Sequence, residues 1–116
     1  MRHHNSIRAF GRVRSQRRAL LRSLARSLIL RGKIETTEAK AKEVRPFVEK
    51  LVSAGRIDTV ASRRLVSTRL GSAPDAVTRL FAHVSPRYKE RKGGYTRITK
   101  RGKDGSGKSR ALIEFV

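Results

Sequence analysis

Ten arginines and lysines precede the first acidic side chain, Glu35, so the opening quarter of the chain is a polycation with no internal counter-charge. Such a segment cannot satisfy its charge by folding on itself. The far end repeats the imbalance, with ten basic residues against Glu90, Asp104 and Glu114 between Pro86 and Val116. The stretch from Glu35 to Gly55 is neutral, four against four, so charge is placed and not spread. A formal net charge of +20 on 116 residues repels itself in isolation, and the working state is expected to be bound to a polyanion. Arginine outnumbers lysine 20 to 9. Its planar fork pairs bidentately with phosphate and stacks on bases, which favours specific nucleic-acid docking over a loose lysine cloud.

The length predicts one domain over residues 1–116 with a small core, and a ligand that binds only the folded form would add stability. The absence of cysteine excludes disulfides, thiolate zinc and cysteine nucleophiles, and fits a reducing compartment. No apolar run approaches the ~20 residues needed to span a bilayer, so neither membrane association nor a secretory leader is expected. An arginine-rich, acid-free amino terminus also describes an organellar transit peptide, the one targeting alternative that composition leaves open.

Residues 1–14 lack clean periodicity and read as a basic arm, with Arg2, Arg8, Arg12 and Arg14 separated by small, polar and scattered apolar residues. From Ser15 to Arg31 the period becomes helical. Leu21, Leu24, Ala25 and Leu28 form the buried stripe, Arg18, Arg22 and Arg26 line up beside it at i+4 spacing, and Gly32 stops the helix. Lys33 to Thr36 reads as a brief strand, after which Thr36 or Thr37 caps a helix running to about Ala54. Val44, Phe47, Val48 and Leu51 give that helix its apolar face, Gly55 stops it, and Pro46 is expected to kink or split it near Arg45. A third helix is expected to be capped by Asp58 and to bury Ala61, Leu65 and Val66, ending at Gly71. Ser72 then opens a fourth, with Pro74 in its first turn and Val77, Leu80, Phe81 and Val84 as its core stripe. Tyr95 to Lys100 and Arg110 to Val116 read as a hairpin around the Gly-rich RGKDGSGKS, with Ala111, Ile113 and Phe115 on one face. The expected fold class is α+β, two-layered, with about four helices on a small mixed sheet of one short strand plus the C-terminal hairpin.

Gly102, four residues, then Gly107, Lys108 and Ser109 match the phosphate-loop pattern letter for letter. The match fails mechanically, because a working phosphate loop opens a helix and here the seven residues after Ser109 alternate like a strand. A flexible basic hairpin loop is the better reading. His3 and His4 lack the further ligands a metal site needs, and the nine carboxylates sit mostly beside lysines as pairing partners. No catalytic residue, metal site or cofactor is therefore assigned, and no small-molecule substrate is expected. Arg12, Arg14, Arg17, Arg18, Arg22 and Arg26 have no acid in their segment, so they are read as nucleic-acid contacts and not a solvated face. Further along, Arg91 and Lys92 supply cations, Gly93 and Gly94 allow close backbone approach, and Tyr95 offers either a stacking ring or a core side chain. Charge alone would also suit a DNA-compacting protein, but no helix-turn-helix, zinc finger or basic zipper supports that.

The opening MRHHNS, the helical SQRRALLRSLARSLI, the run KIETTEAKAKEVRPFVEKLV, the later SPRYKERKGGYTRITK and the closing ALIEFV resemble, nearly end to end, the bacterial-type large-subunit ribosomal protein family number seventeen. Because the resemblance begins at Met1, the basic arm is expected to belong to the working protein. The resemblance implies helices against a small sheet, no enzymatic activity, and binding to large-subunit ribosomal RNA toward the side where the peptide tunnel opens. It also implies neighbouring ribosomal proteins as partners, one copy per ribosome and a cytoplasmic location on the large subunit. Carried over by position, the family's basic opening falls on Arg2, His3 and Arg12, its helical pair on Arg17 and Arg18, and its alanine-lysine run on Lys40 and Lys42. Its later motif falls on Arg91, Gly93, Gly94, Tyr95 and Arg97.

Overall fold

A computed structural model describes residues 13–116. The first helix, α1 (Arg14–Arg31), buries Leu21, Ala25, Leu28 and Ile29 and stops at Gly32, whose φ of 82° is open to glycine without strain. The chain turns there directly into β1 (Lys33–Thr37). Thr37 caps α2 (Glu38–Gly55), its hydroxyl accepting the Lys40 N–H at 3.3 Å. Helix α2 is not split at Pro46. Pro46 is exposed, so the missing backbone bond falls on the solvent side, where water can serve the freed carbonyl. Gly55 is the last residue of this helix and not a stop beyond it. It is buried against Ser85, whose hydroxyl donates to the Val52 carbonyl at 3.1 Å, and a Cβ there would run into that hydroxyl.

The third helix, α3 (Val60–Leu70), corrects three expectations. Its cap is Thr59, which accepts the Ser62 N–H at 3.1 Å, while Asp58 instead pairs with Arg63 across both carboxylate oxygens at 2.6 and 2.9 Å. Its buried residues are Val66 and Leu70, and Ala61 and Leu65 face solvent. Val66 and Leu70, four apart, share the face turned to the core, while Ala61 and Leu65, also four apart, lie together on a face turned to solvent. Ser72 does not open the next helix either. It sits in the turn at a φ of 63°, Ala73 precedes α4 (Pro74–Arg79), and Pro74 takes the first helical position.

Helix α4 continues into a wider π-turn over Leu80–Val84, closed by the Ser85 N–H on the Leu80 carbonyl, and then a 3₁₀ turn over Ser85–Tyr88. Val77, Leu80, Phe81 and Val84 stay in the core through this change of winding. Two strands, β2 (Thr96–Lys103) and β3 (Ser109–Phe115), form the expected hairpin. The sheet has order β1-β3-β2, and both pairings are antiparallel, so the expected mixed sheet is corrected to an antiparallel one. Strands β1 and β2 both run against the central β3. Ala111, Ile113 and Phe115 face the helices, as alternation requires, and Ile113 lies between Ile34 and Ile98. Among the described residues one apolar cluster joins α1, α2, the Leu80–Tyr88 turns and the inner face of the sheet.

Candidate nucleic-acid interface

The arginines of α1 divide into two groups. Arg22 turns its guanidinium onto the end of α3, donating to the Arg69 carbonyl at 3.0 Å and the Thr68 carbonyl at 3.4 Å, where the orphan carbonyls of a helix terminus attract a cation. Arg26 grips Asp75 through both carboxylate oxygens, at 3.2 and 2.5 Å, and holds that carboxyl below the usual carboxylate range. Arg17 pairs with Glu43 on α2 at 3.3 Å and is largely covered. These three fasten α1 to its neighbours. Arg14 and Arg18, near the start of the helix, are exposed and make no ion pair within 4 Å among the described residues. Arg2, His3, Arg8 and Arg12 lie outside the described residues.

The later motif divides in the same way. Arg91 and Lys92 are exposed without ion pairs among the described residues, on a turn that Gly94 completes with a φ of 67°. Gly93 and Gly94 have open space where a side chain would stand, so another backbone can come close. Tyr95 is fully buried, and its core reading holds over the stacking one. Its hydroxyl donates to the Arg91 carbonyl at 3.1 Å and lies 3.1 Å from the Ser53 hydroxyl, while its ring packs 5.0 Å from that of Tyr88. Tyr95 thus holds the Arg91–Lys92 turn in place from beneath. Arg97 pairs with Glu114 at 2.8 Å, lowering that carboxyl below its ordinary range, and Lys42 pairs with Glu38 at 2.9 Å. Lys40 is half-buried on the same turn of α2.

The tip of the hairpin answers the phosphate-loop match. Asp104 accepts the Ser106 N–H at 2.9 Å, the Ser106 hydroxyl at 2.7 Å and the Lys108 N–H at 3.0 Å, all on one carboxylate oxygen. The loop's own aspartate therefore occupies the position where a phosphate loop would hold its nucleotide, and β3 follows where that motif needs a helix. These donors lower the Asp104 carboxyl below its ordinary range, the Ser106 hydroxyl most of all. Among the described residues no group of three or more histidines or carboxylates is placed to hold a metal ion, and no helix is long and apolar enough to cross a membrane.

Sequence reasoning missed one set of cations. Arg31, Lys33 and Arg101 stand around a single cleft, although about seventy positions separate the first two from the third. Only strand pairing brings them together, and no local pattern signals it. The family model described as Ribosomal protein L17 matches residues 20–116 of this chain. The chain belongs to the ribosomal protein L17 family. It is 51% identical to the large ribosomal subunit protein bL17 of Persephonella marina, over all of this chain and 95% of that one. Identity to the bL17 proteins of a Sulfurihydrogenibium species and of Gemmatimonas aurantiaca is 50% and 49%, again over the whole chain and 97% and 98% of theirs. The L17 family is a structural ribosomal component and not an enzyme.

Proposed function

We propose that this L17 chain is a structural constituent of the large ribosomal subunit, present once per ribosome in the cytoplasm, that binds and stabilises large-subunit ribosomal RNA. The observation that carries the reading is that, among the described residues, exposed cations are left without ion pairs, including Arg14 and Arg18 on α1 and Arg91 and Lys92 on the turn before β2. Folding has already paired the acids it can reach, so what is left over faces outward. A rigid helix with arginines at its free end can bridge RNA segments that repel one another. The basic arm, with Arg2, His3, Arg8 and Arg12, extends the same surface in sequence. The family resemblance supports a place toward the peptide exit side, among neighbouring ribosomal proteins.

Two measurements test this. Sedimentation of a host lysate in high salt is expected to retain the protein with the large subunit, since an adventitious polycation making six to ten phosphate contacts loses about a thousandfold or more in affinity between low and moderate salt. Release to the top of the gradient would sink the proposal. The position is read by hydroxyl-radical cleavage from an iron chelate on Ser106→Cys, a unique thiol because the chain has no cysteine of its own. Cuts clustered in RNA around the tunnel exit are expected, and cuts confined elsewhere would remove the exit-side placement.

A further inference from the structure

Strand β1 is an edge strand, and an open cleft of 460 Å³ runs between it and the last turns of α1. The cleft exists because Gly32 ends the helix so sharply that β1 starts at once and lies beside it. Leu24 from α1 and Leu112 from β3 form an apolar floor, both half-buried. Arg31, Lys33 and Arg101 line the same cleft, all three exposed and without an ion pair within 4 Å among the described residues. Two carboxylates face this region: Glu35 in the cleft, and Glu114 opposite Lys33, which Arg97 already holds.

The register supplies the remaining groups. The Phe115 N–H bonds to the Gly32 carbonyl, so in this antiparallel pair Gly32, Ile34 and Thr36 turn their backbone groups to β3. The backbone N–H and C=O of Lys33 and Glu35 therefore point to the open edge. An open edge flanked by three unpaired cations and an apolar floor is chemically particular: cations for phosphate, flat apolar surface and guanidinium planes for a base face, and backbone donors and acceptors for a base edge.

We infer that this cleft receives one unpaired nucleotide of ribosomal RNA, its phosphate held by Arg31, Lys33 and Arg101 and its base laid over Leu24 and Leu112. The inference rests on the ribosomal-RNA reading and adds a second contact surface, away from the exposed start of α1. A peptide strand adding to β1 would use the same edge, but three cations against Glu35, with Glu114 held by Arg97, leave the rim net positive and favour a polyanion over a peptide.

The test uses large subunits carrying a photoactivatable benzophenone amino acid in place of Leu112. Irradiation is expected to crosslink the protein to an unpaired RNA nucleotide. A crosslink to a neighbouring protein, to a base-paired nucleotide, or to nothing overturns the cleft, whereas subunits lacking the protein altogether would overturn the ribosomal-RNA reading itself. A second measurement compares binding of purified wild-type protein and the Arg31→Gln, Lys33→Gln, Arg101→Gln triple variant to large-subunit RNA. The slope of log affinity against log salt is expected to fall by about 0.7 to 0.9, the contribution of the one phosphate that the three cations hold. An unchanged slope, with wild type binding normally, removes the cleft from the interface and leaves the other cations standing.

Discussion

Arg26 holds both carboxylate oxygens of Asp75, so the first helix and the start of the fourth are joined by a two-pronged ion pair 49 residues apart in sequence. With Arg22 on the end of α3, this makes the middle of the α1 arginine row a fastening and leaves Arg14, Arg18 and Arg31, toward its two ends, without ion pairs among the described residues.

That division predicts opposite phenotypes along one helix. Arg26→Gln is expected to lower the urea midpoint of the isolated protein and Asp75→Asn to lower it similarly, with the double variant little worse than either. Arg18→Gln is expected to leave the midpoint unchanged and to reduce the salt slope of ribosomal-RNA binding by about 0.7 to 0.9. Loss of RNA affinity in Arg26→Gln with no change in midpoint would place Arg26 among the RNA contacts instead.

Tyr95 tests the buried reading of the later motif. Tyr95→Ala empties a fully buried aromatic site and is expected to cost about 3 to 5 kcal/mol of stability. Tyr95→Phe keeps the ring and loses only its hydrogen bonds to Arg91 and Ser53, a cost of about 0.5 to 1.5 kcal/mol. Because the ring is covered, Tyr95→Phe is expected to bind ribosomal RNA with unchanged affinity at a temperature where both proteins are folded. An affinity loss larger than the stability loss would mean the tyrosine meets RNA.

Acid stability follows from four carboxylates. Asp58, Asp75 and Asp104 are held below the usual carboxylate range by hydrogen bonds from Arg63, Arg26 and Ser106, and Glu114 by those from Arg97. A lowered folded-state pKa means the unfolded chain binds protons first as pH falls. The stabilisation is then complete above the ordinary carboxylate value of about 4 and is lost as pH drops through the lowered folded values. The urea midpoint is expected to stay flat from neutral pH to about 5 and to decline below about 4, with a shallower acid limb in Asp75→Asn and Asp104→Asn. A decline beginning well above pH 5 would contradict this assignment.

Much of the fold was legible because local rules agreed with one another. The Leu21 to Leu28 stripe, the glycine stops at Gly32 and Gly71, the Thr37 cap and the alternation of β3 each needed only neighbours in sequence. What failed was decided at a distance. Asp58 reads as a cap until Arg63 is seen to claim it, and Leu65 reads as core until α3 is seen to pack through Val66 and Leu70 instead. The same holds for the interface. A row of arginines looks uniform in sequence, and only the carboxylate of Asp75 and the carbonyls of Thr68 and Arg69, more than forty residues away, show which of them fold the protein. The Arg31, Lys33 and Arg101 cleft was illegible for the same reason, since strand register creates it.

Gly55 and Ser85 give the sharpest check on the packing that supports the Arg91–Lys92 turn. A Cβ at Gly55 meets the Ser85 hydroxyl at a separation no side chain tolerates, and that hydroxyl is itself buried and committed to the Val52 carbonyl. The backbone at Gly55 is helical, so conformational freedom is not the reason for glycine there; close approach is. Gly55→Ala is therefore expected to destabilise by about 1 to 3 kcal/mol, the usual range for overpacking. In a Ser85→Ala background the obstructing oxygen is gone, and Gly55→Ala is expected to cost clearly less, a coupling of about 0.5 kcal/mol or more in a double-mutant cycle followed by urea denaturation. Additive effects would show that the end of α2 and the 3₁₀ turn are not in the contact described, and would loosen the support beneath Tyr88 and Tyr95.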